Sequence, residues 1–139
     1  MIAGMTEQNP NVVSADAAAG KLADGVVAVP ASFPQSPAVD GCRVFTHYNG
    51  PTGQLSGLCA GIALLDPGST PHAPHRHPEE EFLIVTEGNG QIECGGVTTE
   101  VGPGAMMYCA GNTLHGITNT GTVPMTFYWS KWLATTSKT

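Results

Sequence analysis

Three histidines and one glutamate are spaced in this sequence so that they could bind one metal ion together. His75 and His77 flank a single residue, Glu81 comes four positions after His77, and His115 lies farther along the chain. Side chains alternate between the two faces of a β-strand, so we expect His75 and His77 to point the same way and Arg76 to point away. Imidazole and carboxylate groups suit divalent zinc, iron, manganese, copper and nickel. The pattern indicates the chemistry of a Lewis-acidic or redox-active metal and not that of a side-chain nucleophile.

The residues that follow Glu81 and His115 predict an apolar pocket around this site. If both of these ligands face the interior of a sheet, the residues two and four positions after each of them face the same way. Those residues are Leu83, Val85, Ile117 and Asn119. Three imidazoles and one carboxylate leave up to two open positions on a six-coordinate ion, and a substrate or dioxygen could bind there.

Alternatives remain for the neighbouring polar residues. A shift of one residue would make Glu80 the ligand in place of Glu81, although a run of glutamates is usually solvated. His72 could hydrogen-bond a substrate, but we interpret it as an exposed loop histidine. No general base is obvious, and the catalytic candidates are Tyr108, His47 and a hydroxide held by the metal. His47 has a structural interpretation as well, beside a tyrosine.

The composition predicts a single all-β domain that does not bind nucleic acid. The chain has 139 residues, 41% of them hydrophobic and only 12% charged, with Gly 18 and Pro 11 supplying many turns. The formal net charge is -6, and the five Lys and Arg residues are scattered, so there is no basic patch. This pattern argues against nucleic acid and against an anionic membrane surface as partners.

The chain has four cysteines and no CxxC pair, which predicts buried thiols in a reducing compartment. A disulfide between two of them is the alternative. The first residues have neither a basic start nor a long apolar run, so we expect no secretory signal. No stretch reaches membrane-spanning length. These features predict a soluble, cytoplasmic protein.

Turn residues divide the chain into short strands. We expect a flexible N-terminal arm over 1–20, a β-barrel or β-sandwich domain over 21–134, and a tail over 135–139. Residues 16–22 alone hint at a helix. Gly95 and Gly96 mark a two-residue hairpin. The predicted strands are 26–29, 42–47, 55–65, 81–86, 90–94, 97–101, 105–109, 114–118 and 125–132.

Two stretches resemble the conserved motifs of the cupin family. Residues 68–88 resemble the first motif, G(X)5HXH(X)3-4E(X)6G, except that six residues and not five separate Gly68 from His75. Residues 104–119 resemble the second, G(X)5PXG(X)2H(X)3N, with Ala110 and Asn112 at the positions of its proline and glycine. Both replacements lie in a turn, where Asn tolerates the left-handed backbone that Gly would adopt. The resemblance covers roughly residues 55–132.

The resemblance implies a single jelly-roll β-barrel of the cupin type, in a chain that forms a homodimer. It also implies one divalent transition metal ion per chain, Fe, Mn, Zn, Ni or Cu, bound by His75, His77, Glu81 and His115. The positive charge of such a site would favour an anionic or bidentate oxygen ligand. We therefore expect a metal-dependent enzyme acting on a small organic acid or diketone-like substrate, with a dioxygenase reaction favoured. The alternatives are a non-redox lyase or isomerase, and a small-molecule-binding cupin without catalysis.

Overall fold

The computed structural model describes Val27 and residues 40–135. The predicted arm over 1–20, the helix over 16–22, residues 136–139 of the tail and all of the strand over 26–29 except Val27 lie outside the described residues. Within the described part the regular elements are all β-strands, and none of its residues forms a helix long and apolar enough to cross a membrane.

Eight strands build the described part of the chain. They are β1 (Cys42–Gly50), β2 (Leu55–Leu65), β3 (Glu80–Glu87), β4 (Gly90–Cys94), β5 (Val97–Val101), β6 (Met106–Cys109), β7 (His115–Thr118) and β8 (Met125–Ala134). The bounds of β2, β4 and β5 match those predicted from the sequence, and the others differ only at their ends. Gly95 and Gly96 form the β4–β5 turn with φ of 62° and 85°, a backbone that glycine adopts without strain.

The strands form two antiparallel sheets that face each other. The larger has the order β1-β2-β8-β3-β6, and the smaller has the order β5-β4-β7. Apolar side chains from both sheets fill the space between them, among them Leu65, Val85, Ile92, Ile117 and Phe127. The predicted all-β jelly-roll fold is confirmed.

Strand register divides the interior of the large sheet into an apolar part and a polar row. Trp129 of β8 lies opposite Gly61 of β2 and Leu83 of β3, and the rows beyond it toward Met125 are also apolar. Two residues further along β8, the row of side chains that crosses the sheet is polar and no longer apolar. It consists of Cys59, Lys131, Glu81 and Cys109, all buried. The polar groups of the interior therefore collect at one end of the sheet, beside the predicted ligands.

The side chain of Asn119 connects loops at the opposite end of the sheet from the polar row. Removing this side chain should destabilise the fold. Its side chain is fully buried, its Nδ2 donates to the carbonyls of Leu65 at 3.0 Å and Val123 at 2.9 Å, and its Oδ1 accepts from the Gly121 N–H at 2.9 Å. We expect Asn119→Ala to lower the free energy of unfolding by about 2 to 4 kcal/mol, because buried backbone groups lose their partners. Urea denaturation would measure this. Exposed Asn49 supplies the control: Asn49→Ala should change stability by less than about 0.5 kcal/mol, and equal losses in both variants would contradict the assignment.

Candidate metal centre

The segment that carries His75 and His77 is extended but is not a regular strand, which corrects the expectation from the sequence. Only His75 forms a β-bridge, to His115, with N–H to carbonyl distances of 3.0 Å in both directions. The carbonyl of His77 accepts from the Asn112 N–H at 2.7 Å. Three prolines, which have no N–H to donate, interrupt longer pairing here: Pro71, Pro74 and Pro78. Arg76 is exposed and His77 is buried, as the alternation predicts.

The fold brings the four predicted side chains together. One ligand nitrogen from each of His75, His77 and His115 lies within 4.8 Å of the others. The Oε1 of Glu81 is 3.0 Å from His77 Nε2 and 3.1 Å from His115 Nε2. Glu81 is fully buried and His77 and His115 are each 3% exposed, whereas His75 is half-buried. We call these four residues the His3Glu cluster.

The backbone orients two of the imidazoles for metal binding. The Nδ1 of His77 lies 3.1 Å from the carbonyl of Glu79, and the Nδ1 of His115 lies 2.9 Å from the carbonyl of Thr113. A carbonyl oxygen only accepts, so each Nδ1 carries a hydrogen and each Nε2 points toward the cluster, where it can bind a metal ion once it carries no proton.

Those two nitrogens face a carboxylate oxygen, which also only accepts, so a cation must lie between them. Either a proton or a metal ion satisfies this arrangement. The other donor atoms of the cluster would also gain a partner from a cation. Both ring nitrogens of His75 and the Oε2 of Glu81 are buried and have no hydrogen-bond partner in the described part of the chain. Buried polar groups without partners are costly. The donor set therefore fits a divalent metal ion.

The pKa values of Glu81 and His75 favour the protonation states that a metal ion needs, whereas the pKa of His115 is raised, because burial, which lowers it, is outweighed by hydrogen bonds to Glu81 and Thr113. Burial opposes ionisation of Glu81, but hydrogen bonds from His115 and His77 outweigh it and lower its pKa to about 2. Burial, together with the smaller effect of the positive charge that neighbouring imidazoles would carry, lowers the pKa of His75 to about 3. At neutral pH the carboxylate is charged and His75 is neutral, and both can bind a metal ion.

The structure separates the other predicted candidates from the cluster. Glu80 points to the opposite face from Glu81 and accepts a 2.7 Å hydrogen bond from the hydroxyl of Tyr108, so the register in which Glu80 is a ligand is wrong. Tyr108 is 51% exposed on the outer face of β6, so its hydroxyl does not face the cluster. His47 is buried beside the ring of Tyr48 and is not part of the group of ligand histidines.

His72 differs from the exposed loop histidine that we expected. Its ring stacks on that of His75, with 3.8 Å between centroids and 19° between planes. It is half-buried, and its Nδ1 donates to the carbonyl of Ala73 at 2.8 Å. Burial lowers its pKa. The prolines on both sides restrict the chain here, and their short spacing was the signal in the sequence that His72 is held in place.

Lys131 is a buried residue beside the cluster that the sequence pattern did not single out. It lies on β8 between Cys59 of β2 and Glu81 of β3, and it is 2% exposed. Its Nζ has no hydrogen-bond partner among the described residues. The alternation of Phe127, Trp129 and Lys131 along β8 was a usable signal, but only the register against β3 shows that this face looks into the interior.

The four thiols are free, and burial makes those of Cys42 and Cys109 poor nucleophiles. Cys42, Cys59 and Cys109 are buried and Cys94 is half-buried, so the thiol interpretation is confirmed and no pair of them forms a disulfide. Burial raises the pKa of Cys42 to about 12, and burial together with the hydrogen bond to Cys94 raises that of Cys109 to about 12. Protonated thiols are poor nucleophiles. The chemistry of the site therefore belongs to the His3Glu cluster.

Comparisons with known proteins agree with this architecture. A family model described as the Cupin domain matches residues 61–131, which include all four residues of the cluster. Among solved structures, an RmlC-like cupin from Shewanella frigidimarina NCIMB 400 is similar with a TM-score of 0.62 and 15% identity, over 77% of this chain and 89% of that one. KdgF from Halomonas sp. gives a TM-score of 0.63 and 18% identity, over 77% of this chain and 93% of that one. These structures share the fold.

One curated relative is similar in sequence. The dimethylsulfoniopropionate lyase DddW of Ruegeria pomeroyi is 34% identical over 88 residues, which are 63% of this chain. The match spans 57% of the length of that protein, so this chain corresponds to little more than half of it.

Proposed function

This chain belongs to the cupin family, and we propose that it is a metal-dependent lyase acting on a small carboxylate of the dimethylsulfoniopropionate class. The observation that carries the proposal is the His3Glu cluster, in which the Nε2 atoms of His77 and His115 lie 3.0 and 3.1 Å from the Oε1 of Glu81. The similarity to a dimethylsulfoniopropionate lyase supports the reaction class. A lyase of this kind is the non-redox alternative to the dioxygenase that the sequence favoured. The dioxygenase reaction stays a prediction, as does location in the cytoplasm.

The cluster would hold one divalent transition metal ion, chosen from Fe, Mn, Zn, Ni and Cu. His75, His77, His115 and Glu81 are the proposed ligands, and the backbone carbonyls behind His77 and His115 fix the tautomers that binding requires. When bound, the metal supplies a Lewis acid that stabilises negative charge on oxygen. Leu83 and Trp129, each 2% exposed, lie in the row next to the ligands and exclude water from that side.

The proposed reaction is a β-elimination. The C–H bond next to the carboxylate breaks, and its electron pair forms the new C=C bond. The C–S bond breaks, and its electron pair leaves with sulfur as neutral dimethyl sulfide. The products are acrylate, dimethyl sulfide and a proton, which is released to water. No atom is oxidised by an outside reagent, so the reaction needs no dioxygen.

Release of dimethyl sulfide tests this function directly. We expect the metal-loaded protein to convert dimethylsulfoniopropionate to dimethyl sulfide and acrylate, measured by headspace gas chromatography and by acrylate absorbance, without uptake at an oxygen electrode. Dialysis against a chelator should lower the rate on the order of 100-fold or more, as loss of a transition-state stabiliser does, and added metal should restore it. If the fully loaded protein released no dimethyl sulfide with any of the five metals, the proposal would be wrong.

A second copy of this chain stays the proposed partner. The outer face of the large sheet carries large apolar side chains that are exposed in the single chain, with Phe82 at 38%, Met106 at 61% and Tyr108 at 51%. Phe82 also contacts Trp132, with 5.5 Å between ring centroids. Apolar patches of this kind often mark subunit interfaces, and this face supports the homodimer that the resemblance implies.

A further inference from the structure

Lys131 places a buried ammonium group beside the His3Glu cluster, and no described residue pairs with it. The residue is 2% exposed, and its Nζ has neither a hydrogen bond nor an ion pair among the described residues. Burial of an unpaired charge is costly, and proteins retain such groups where another charge or ligand compensates them. An anion at this point would supply the compensation.

Glu81 is the nearest acid along the sheet, but it does not serve as that anion. The two residues lie opposite each other in the β3–β8 register, and they form no ion pair. Oε1 of Glu81 is already directed at His77 and His115, and the pKa of Glu81, set by burial and by those two histidines, agrees with this. The cluster therefore supplies no anion for Lys131 within the described part of the chain.

The positive charge of Lys131 acts electrostatically on groups at and near the cluster, because the side chain is buried beside them. After burial, it is the largest influence on the pKa of the Cys59 thiol, which it lowers. It also opposes protonation of His115, in the same direction as burial and against the hydrogen bonds to Glu81 and Thr113 that raise the pKa of His115. A ligand bound at the cluster is thus within the field of the ammonium group.

We infer that Lys131 binds the carboxylate of the substrate through its Nζ, a role in which it sets specificity for acids and orients the ligand at the cluster. The identity of the substrate rests on the proposed lyase function, whereas the preference for a carboxylate rests on Lys131 alone. In a zwitterion such as dimethylsulfoniopropionate, the carboxylate lies against the ammonium and the cationic sulfonium end points away from it, because like charges repel.

Binding of propionate, compared with its neutral isostere propionamide, tests the inference without turnover. We expect zinc-loaded wild-type protein to bind propionate more tightly than propionamide in calorimetric titrations. Lys131→Met should weaken propionate binding about tenfold or more, the value of a hydrogen bond to a charged group, and leave propionamide binding unchanged. Arg76→Met removes the same charge from an exposed side chain between two ligands, and it should bind propionate as the wild type does.

A spectroscopic measurement on the intact protein covers the case in which Lys131→Met does not fold. The chain has three lysines, Lys21, Lys131 and Lys138, so a protein labelled with ¹³C-lysine has few ε-carbon signals, and Lys21→Arg and Lys138→Arg assign them. Propionate should shift the Lys131 signal of the zinc-loaded protein, and propionamide should not.

The outcomes separate this inference from the proposed function. Unchanged propionate affinity in a folded, zinc-loaded Lys131→Met protein, or a Lys131 signal that does not respond to propionate, would overturn the inference even if the enzyme releases dimethyl sulfide. Conversely, a Lys131-dependent preference for propionate would uphold it even if dimethylsulfoniopropionate is not cleaved.

Discussion

His115→Ala is expected to keep its fold and lose most of its bound metal, and His77→Ala should behave in the same way. Each substitution removes one of four donors, and changes in outer-shell partners alone already cost about 10–100-fold in metal affinity. The fold should persist, because His115 is joined to His75 through backbone groups that alanine retains. Metal content per chain, measured by plasma mass spectrometry after purification without chelator, would show the loss, and circular dichroism would report the fold.

His72→Ala is the matched control for this experiment. His72 stacks on His75 at 3.8 Å but is not part of the group of ligand histidines. We expect the His72→Ala protein to carry about as much metal as the wild type. Wild-type metal content in folded His115→Ala or His77→Ala would refute the ligand assignment, and depletion in His72→Ala would assign His72 to the centre.

Gly61→Ala is expected to destabilise the whole barrel by about 3 kcal/mol or more, because it overpacks the interior. A Cβ at Gly61 would overlap the carbonyl oxygen of Phe45, lie 2.6 Å from Cη2 of Trp129 and lie 2.9 Å from the Cα of Thr46. Backbone atoms cannot move away as the end of a flexible side chain can. Thermal and urea denaturation would measure the loss, which corresponds to a fall in melting temperature of several degrees.

Gly57→Ala offers the same substitution in the same strand without the overlap. A Cβ at Gly57 would approach only the Cβ of Leu133, at 4.0 Å. We expect its free energy of unfolding to stay within about 0.5 kcal/mol of the wild type or to rise slightly, because alanine restricts the unfolded chain. If Gly61→Ala were as stable as Gly57→Ala, the close packing of Trp129 over β2 would be wrong.

The sequence by itself determined the fold class, most strand bounds and the four residues of the cluster. These features depend on local patterns, except for His115, which was assigned from the resemblance of residues 104–119 to the second cupin motif. Alternation of side chains along a strand places Glu81 and Leu83 on one face, and glycine pairs such as Gly95 and Gly96 end the strands on either side. The spacing of His75, His77 and Glu81 is equally local, and it needs only an extended chain to bring the side chains to one side.

Only the tertiary structure decided the positions that depend on pairing between distant segments. The register of β8 against β3 joins Lys131 to Glu81, and it is set by packing across the whole sheet, which no local pattern encodes. The outward position of Tyr108 is settled in the same way, by its pairing with Phe82. The stacking of the His72 ring on the His75 ring depends on the conformation of the proline-rich loop that carries both residues. A single residue's shift in register would reverse the face that every side chain of a strand presents, so such assignments require the assembled sheet.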